Sequence, residues 1–361
     1  MSKSRLEVCV PTARENQNST STLLSLEADD PRFRLEGFAF RKTGEPFWRL
    51  PDDPALPDSV RRLSKQTSGG LLRFRTDSRI IQIQVRLNFA DKVDHMAMTA
   101  TGGFDLYADR RFVGVTRYDY DQVSYKAELF RHSERHIREF ELNFPLYSGI
   151  ESFRLQLEKD ARIEAPCPRS DDSPMVFYGT SITQGACASR PGRCYTSILG
   201  RKLDRPVLNF GFSSAGNGEP AVINYLAGIS KPALYVLDYQ ANAKFDGLKA
   251  TFRTALDCLR AAHPTTPILT VSRIRWTHEL LETGSDFVHA IESEKALRFQ
   301  RDEIERRNAE GDRLCFFLDG SGLTGSDWHE CLVDGLHPTD LGFERMAAGL
   351  LPAITDILRL K

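Results

Sequence analysis

The sequence predicts an α/β protein in two parts: a jelly-roll-like β-sandwich, then a parallel sheet with helices on both faces. Three observations carry this. Apolar and polar residues alternate with period two through residues 31–160, the pattern of half-buried strands. From residue 174 onward, short apolar runs alternate about five times with segments of helical spacing, which builds a parallel sheet between helix layers. Between the two lies 161–173, with Pro166, Pro168 and small polar residues, the texture of an interdomain linker. A chain of 361 residues fits two domains at roughly 150 residues each.

Residues 1–30 are polar and aperiodic and read as an N-terminal arm. In the first half, Leu71–Arg75 and Ile80–Leu87 alternate as strands, and Phe104–Tyr107 and Phe112–Val115 flank a polar turn at Asp109–Arg111, a hairpin. Arg138–Phe144 and Phe153–Leu157 continue the pattern. In the second half the strands expected are Met175–Tyr178, Val207–Phe210, Ala233–Leu237, Ile268–Val271 and Leu314–Leu318. Helical spacing covers Tyr195–Leu203, Ala221–Ile229, Leu248–Leu259, Glu292–Glu310 and Leu341–Leu358. Ligands of such a sheet are expected at the carboxyl ends of its strands.

Composition excludes several functions. Lys plus Arg is 48 against 49 Asp plus Glu, so no bulk charge invites nucleic acid or an anionic membrane. No apolar run reaches the ~18 residues of a membrane span, and residues 1–22 have no apolar core of the secretory type. The seven cysteines are scattered, odd in number and form no CxxC pair. Reduced thiols in the cytoplasm are therefore expected.

Four segments could carry chemistry, and all fall at strand ends or before the last helix. Gly179-Thr180-Ser181-Ile182-Thr183-Gln184-Gly185 puts a serine just past a buried strand. It is either a nucleophile loop or a plain capped turn, and it is not the GxSxG elbow, since Thr183 holds the fifth position. Asp334-Gly335-Leu336-His337-Pro338 puts a carboxylate three residues from an imidazole whose tautomer it could hold. Asn209–Gly218 is Gly-rich and could offer backbone N–H groups to an anion, without GxGxxG or GK[ST] spacing. Its Ser213 is a rival nucleophile. Asn242, in Asp238-Tyr239-Gln240-Ala241-Asn242, ends the third strand. His329 and Glu330 lie close to His337, but no HExxH or other zinc spacing occurs, so no metal is expected. A serine, an imidazole with its carboxylate, a donor loop and an amide together form the set that acyl transfer needs.

These blocks resemble the SGNH (GDSL-type) hydrolases over about Met175–Leu360. Ser181 in GTSITQG matches the first block, Asn242 the third, and Asp334 with His337 in DGLHP the D-x-x-H block. The second block is similar to N-x-G-x-x-G at Asn209 and Gly211, but Ser214 holds the sixth position and Gly216 follows two residues later. Thr180 replaces the usual Asp before the serine, and Ala243 the Asp after the Asn. Gly103-Phe104-Asp105-Leu106-Tyr107 looks like the GxDLY motif of the sandwich that precedes some SGNH esterases, and Cys187–Gly192 is also similar to that subgroup. The resemblance implies a flavodoxin-like three-layer catalytic domain over 174–361. It implies a Ser181–His337–Asp334 triad and an oxyanion hole of Ser181 N–H, a second-block N–H (Gly216 or Ser214) and the Asn242 amide. No metal or organic cofactor is implied. The expected substrate is a short-chain ester, acetylated sugar first among them, with transfer to an acceptor alcohol as the alternative. A binding protein that keeps the fold but not the chemistry is a third reading, and the joint presence of the four residues argues against it. The aromatic stripe of the sandwich (Phe38, Phe40, Phe47, Trp48, Phe89, Tyr107) reads as core before it reads as a sugar platform. Trp276, Arg275 and His95 are candidates for the pocket lining.

Overall fold

A computed structural model describes residues 22–90, 93–119, 121–280 and 285–359. In chain order the first half forms β1 (Leu23–Leu26), β2 (Arg34–Glu36), α1 (Asp58–Ser64), β3 (Leu71–Thr76), β4 (Ile80–Ala90), α2 (Met98–Thr101), β5 (Asp105–Ala108), β6 (Arg111–Val115), β7 (Ser124–Arg131), β8 (Arg138–Asn143), β9 (Ser148–Glu158) and β10 (Ile163–Glu164). The second half forms β11 (Met175–Gly179), α3 (Ser181–Gln184), α4 (Tyr195–Leu203), β12 (Val207–Gly211), α5 (Pro220–Ala227), β13 (Leu234–Asp238), α6 (Gln240–Ala262), β14 (Ile268–Val271), α7 (Ser285–Ala309), β15 (Cys315–Leu318) and α8 (Asp340–Arg359).

The first half is a sandwich of two antiparallel sheets, ordered β1-β9-β4-β7 and β10-β3-β8-β5-β6, with β2 on β3. The period-two pattern explains the layers: Ile81, Ile83, Val85 and Leu87 face the inner core, while Gln84 and Arg86 face solvent. The hairpin expected at Asp109–Arg111 is a two-residue turn. Asp109 and Arg110 have φ of 47° and 66°, and Ala108 pairs with Arg111, the turn that matches strand twist.

Two expectations for this half change. Residues 1–21 of the arm lie outside the described residues, but Leu23–Leu26 is strand β1, paired with Leu155–Glu158 of β9. The segment read as a linker is pinned at both ends. Ile163–Glu164 extends a sheet along β3, and buried Arg169 bonds Glu36 at 2.9 Å and Asp204 at 3.0 Å.

The second half is a five-stranded, wholly parallel sheet ordered β12-β11-β13-β14-β15. Numbered within this half, that is 2-1-3-4-5, the flavodoxin-like order. The connections leave the sheet in opposite directions at β11 and β13, so the crevice beyond the carboxyl ends of these two strands is where a ligand belongs. The last helix shows why the chain covers the sheet as it does: Phe343, Met346, Ala347, Leu350, Ile354 and Ile357 recur at three- and four-residue spacing, and all are buried.

The halves share their cores. Leu50, Leu56, Val60 and Leu63, around α1, pack with β12, β13 and α6, and Met96, Leu146 and Tyr147 pack under α4 and α8. The GxDLY motif closes the boundary. Asp105, fully buried, accepts from Arg190 Nη1 at 2.7 Å, the Gly192 N–H at 2.8 Å and the Asn143 amide at 2.8 Å, and Tyr107 Oη accepts from Arg190 at 2.7 Å. Removing one partner of such a buried pair strands the other charge, at about 3–5 kcal/mol. Asp105→Ala is therefore expected to lower the denaturant midpoint by that equivalent. An unchanged midpoint would show that the motif does not hold the interface.

Candidate active site

Strand β11 is buried throughout and ends at Gly179, where a side chain would run into the Asp238 carbonyl of β13 and the Thr183 hydroxyl. The chain must then turn at once. Thr180 is the cap of the short helix α3: its Oγ1 accepts from the Ile182 N–H at 3.2 Å. Capping by Thr180 leaves Ser181 free of that duty. Ser181 Oγ stands 2.8 Å from His337 Nε2.

His337 comes from the loop between β15 and α8, pinned by the Val333 N–H to the His337 carbonyl at 2.8 Å and the Thr339 N–H to the Cys331 carbonyl at 2.7 Å. His337 Nδ1 lies 2.7 Å from Asp334 Oδ2. Asp334 Oδ1 accepts from the backbone N–H groups of His337 at 2.8 Å and Leu336 at 3.0 Å. Burial pushes its carboxyl up, but the two N–H groups and the imidazole outweigh that and hold it down at about 2. An ionised carboxylate only accepts, so His337 Nδ1 carries the proton and the Nε2 lone pair faces Ser181. Gly335, with φ of 84°, makes the tight turn between them, and its carbonyl accepts from the Thr277 N–H at 3.0 Å.

The second block supports the nucleophile turn from below. Asn209 donates to the Thr183 carbonyl at 2.7 Å and to Thr196 Oγ1 at 3.1 Å, and accepts from the Gly211 N–H at 2.9 Å. Gln184 Oε1 accepts from the Ser213 N–H at 3.0 Å. The Gln184 amide donates across the half boundary to Gln66 and to the Leu146 carbonyl. The serine in hydrogen-bond contact with the imidazole is thus Ser181, while Ser213 is tied through its backbone N–H to Gln184.

One expected donor is engaged elsewhere. The Gly216 N–H donates to Glu219 Oε1 at 2.9 Å, as does the Asn217 N–H, and Glu219 is held in turn by the Tyr178 hydroxyl. Gly216 is therefore not the free second-block N–H. Ser214 shares the left-handed backbone, with φ of 55° against 75° at Gly216, but among the described residues nothing accepts from its N–H. Asn242 sits in the first turn of α6, two residues before a break in the helix at Lys244. Its amide donates to the carbonyls of Ala215 and, at 3.3 Å, Phe212, so it clasps the loop that carries Ser214.

Of the three lining candidates, only His95 touches the triad. Its ring stacks on His337 with centroids 5.4 Å apart and planes 19° apart, and its Nε2 is 3.9 Å from Asp334 Oδ2. Trp276 packs against the core under α4 and α8 with the Arg273 guanidinium over its ring, while Arg275 is exposed and reaches toward Trp328 and Glu279. His329 approaches Glu330 at 3.9 Å and is not among the converging metal-type donors described below. The aromatic stripe is divided: Phe38, Phe47 and Tyr107 are buried, Phe40 packs on Phe210 and Tyr225, and Trp48, under Lys65 Nζ, and Phe89 are half-buried. Cys187, in the segment similar to the GxDLY subgroup, is buried beside Asp334. Burial first, then that carboxylate, pushes its thiol up to about 12, so it is no rival nucleophile at neutral pH. Sequence reasoning missed Arg49, whose guanidinium bonds the Asn209 and Gly211 carbonyls at 3.1 and 2.6 Å.

Comparisons with known proteins agree with this architecture. The family model described as GDSL-like lipase/acylhydrolase matches residues 172–355. The GxDLY model, the N-terminus of SGNH-hydrolase-type esterases, matches 26–163. No curated protein matches the chain. Among solved structures, a protein described as a GDSL-like lipase from Bacteroides ovatus ATCC 8483 superposes with a TM-score of 0.84 at 27% identity, covering 93% of this chain and 98% of that one. The salicylyl-acyltransferase SsfX3 of a tetracycline biosynthetic pathway gives 0.73 at 20% identity, covering 93% and 97%. A family two carbohydrate esterase from Clostridium thermocellum, in complex with cellohexaose, gives 0.57 at 15% identity, covering 81% and 93%. The last two likenesses bear on the fold alone, whereas the first family model spans half of the chain. The chain belongs to the GDSL-like lipase/acylhydrolase family and is an ester hydrolase.

Proposed function

We propose that the protein is a serine esterase that removes short acyl groups, acetyl first among them, from a carbohydrate or small metabolite. The observation that carries this reading is the hydrogen-bonded chain from Ser181 Oγ through His337 to Asp334, at 2.8 and 2.7 Å. Ser181 attacks the ester carbonyl and His337 Nε2 takes its proton. Asp334 holds the Nδ1–H tautomer and stabilises the imidazolium. The oxyanion meets the N–H groups of Ser181 and Ser214 and the Asn242 amide, which gives up its longer bond to the Phe212 carbonyl. The tetrahedral intermediate collapses, His337 returns the proton to the leaving alcohol, and water repeats the sequence on the acyl-enzyme. No cofactor takes part. Among the described residues no helix is long and apolar enough to cross a membrane. The six described cysteines are all free, which supports work in the reducing cytoplasm.

Transfer of the acyl group to an acceptor alcohol is the second reading. The acyltransferase named above has this two-part fold over 97% of its own length, so the fold admits either reaction. One experiment separates the readings: p-nitrophenyl esters of increasing chain length and acetylated sugars, each with and without added alcohols. Faster turnover of the shortest esters, with free acid as the product at every alcohol concentration, supports hydrolysis. A transfer product that dominates at low alcohol concentration supports the second reading.

The oxyanion assignment has its own test. Asn242→Ala is expected to lower kcat about 10²–10³-fold, the usual loss of one donor, with KM little changed. Ser214→Gly preserves both the N–H and the left-handed backbone, so activity should survive it. A loss in KM alone for Asn242→Ala, or an inactive Ser214→Gly, would contradict the assignment.

A further inference from the structure

Four groups of the kind that ligate zinc converge on the face of His337 that looks away from Ser181. They come from three distant segments: His95 from the sandwich half, Cys187 from the loop after the nucleophile turn, and Asp334 and His337. One donor atom of each lies within 4.8 Å of every other. Two nitrogens, one sulfur and one oxygen are a zinc-type donor set. Tetrahedral bonds of about 2.0–2.3 Å need the more distant of these atoms to draw in by about 1 Å, and Asp334 Oδ2 and His337 Nδ1, 2.7 Å apart, to spread slightly. The triad itself uses neither His95 nor Cys187. Two details favour ligation. His95 Nδ1 is 3.0 Å from the Asp94 carboxylate, the carboxylate–histidine pairing that orients the ring and leaves Nε2 free for a metal. Cys187 is held by a left-handed backbone, φ of 70°, an uncommon conformation for a residue other than glycine. Its buried sulfur sits close enough to Asp334 to feel that charge.

We propose that these four residues form an inhibitory zinc site that reversibly switches the triad off. Zinc would bind His95 Nε2, Cys187 Sγ, Asp334 Oδ2 and His337 Nδ1. The Cys187 thiol releases its proton to solvent as the Zn–S bond forms. The proton on His337 Nδ1 leaves that atom, and Nε2 takes up a proton in its place. The Asp334–His337 hydrogen bond is replaced by two metal bonds, and Nε2–H can no longer accept from Ser181. The net change is one zinc ion gained and one proton lost, with no oxidation. The inhibitory effect rests on the esterase reading above; the metal site does not.

The test uses the full chain, freed of metal with a chelator. Zinc binding is read by equilibrium dialysis, the sulfur ligand by the thiolate-to-metal charge-transfer band of the cobalt(II) form, and the serine by its rate of labelling with a fluorophosphonate. The expected result is about one zinc per chain, a cobalt–thiolate band, and labelling slowed at least about tenfold by zinc and restored by EDTA. Cys187→Ala should lose the band, label normally without zinc, and need on the order of 100-fold more zinc for the same slowing, since even an outer-shell partner is worth about 10–100-fold in metal affinity. Equal zinc sensitivity of Cys187→Ala and the parent overturns the proposal, and so does a cobalt form without the band. If the zinc-free parent does not label at all, the esterase reading fails. Stoichiometry and the cobalt band then decide the metal site alone.

Discussion

Ser181→Ala is expected to lower kcat with p-nitrophenyl acetate by about 10⁶-fold and to abolish fluorophosphonate labelling, because members of a catalytic triad act as a unit. His337→Ala should cost a similar factor, and the double variant little more than either alone. That non-additivity is the informative part. If Ser181 and His337 acted independently, their losses would multiply. In the geometry seen here the serine hydroxyl has one proton acceptor, His337 Nε2 at 2.8 Å, and without it the nucleophile stays protonated. Asp334→Asn should cost less than the loss of the base but still several orders of magnitude, about 10⁴-fold, since an amide that donates toward Nδ1 selects the wrong tautomer. Steady-state kinetics at one pH and labelling followed by peptide mapping suffice. A Ser181→Ala variant with full activity, or a label on Ser213, would remove the basis of the proposed mechanism.

How far the residues themselves disclosed this site depends on the kind of signal. Ser181, Asp334, His337 and Asn242 stand in short local patterns, after a strand or just before the last helix, elements that hydrophobic periodicity also marks. The parallel sheet was legible for the same reason: strands buried on both faces are continuous apolar runs such as Met175–Tyr178. What periodicity could not convey was tertiary substitution. The sixth position of the second block is Ser214, and sequence spacing suggested that Gly216, the next glycine, takes over its role. Both residues keep a left-handed backbone, and what separates them is that Glu219 consumes the Gly216 N–H. A carboxylate that reaches back three residues to a loop N–H leaves no periodic trace. The short strands β1, β2 and β10, each of four residues or fewer, were illegible because their pairing partners supply the order. Helix α1 packs in the second-half core although it precedes most of the sandwich, a long-range contact that texture along the chain cannot reveal. The expectation of two domains divided at a linker thus understates how one half is built into the other.

That interpenetration points to Arg49. Strand β12 is at the edge of the parallel sheet, so one side of its backbone has no neighbouring strand, and uncovered polar groups there must find partners. The carbonyls of Asn209 and Gly211, two residues apart, point the same way. Arg49 takes both with Nη1 at 3.1 and 2.6 Å, while Nε and Nη2 bond the carbonyls of Gln66 at 2.9 Å and Leu63 at 2.7 Å. The guanidinium is fully buried, lies 4.7 Å over the Phe212 ring, and among the described residues faces no carboxylate. Burial draws its pKa down to about 9, so it remains charged at neutral pH and is held there by carbonyl dipoles alone. Replacing it with methionine leaves the buried carbonyls of Gln66, Asn209 and Gly211 short of a donor, at about 1–3 kcal/mol each before water or local relaxation compensates, while that of Leu63 keeps the Gln66 N–H at 3.0 Å. Arg49→Met is therefore expected to destabilise the protein by at least about 3 kcal/mol, read as the shift in urea midpoint. Arg49→Lys should recover only part of this, because an ammonium cannot reproduce a planar fork with donors in three directions. The active site should register the loss too. Gly211 leads directly into Phe212, Ser213 and Ser214, so whatever Arg49→Met protein remains folded at low temperature should show reduced kcat with KM little altered. A midpoint equal to that of the parent would mean that water or a neighbouring donor satisfies those carbonyls, and that the sandwich half is not what holds the second block in place.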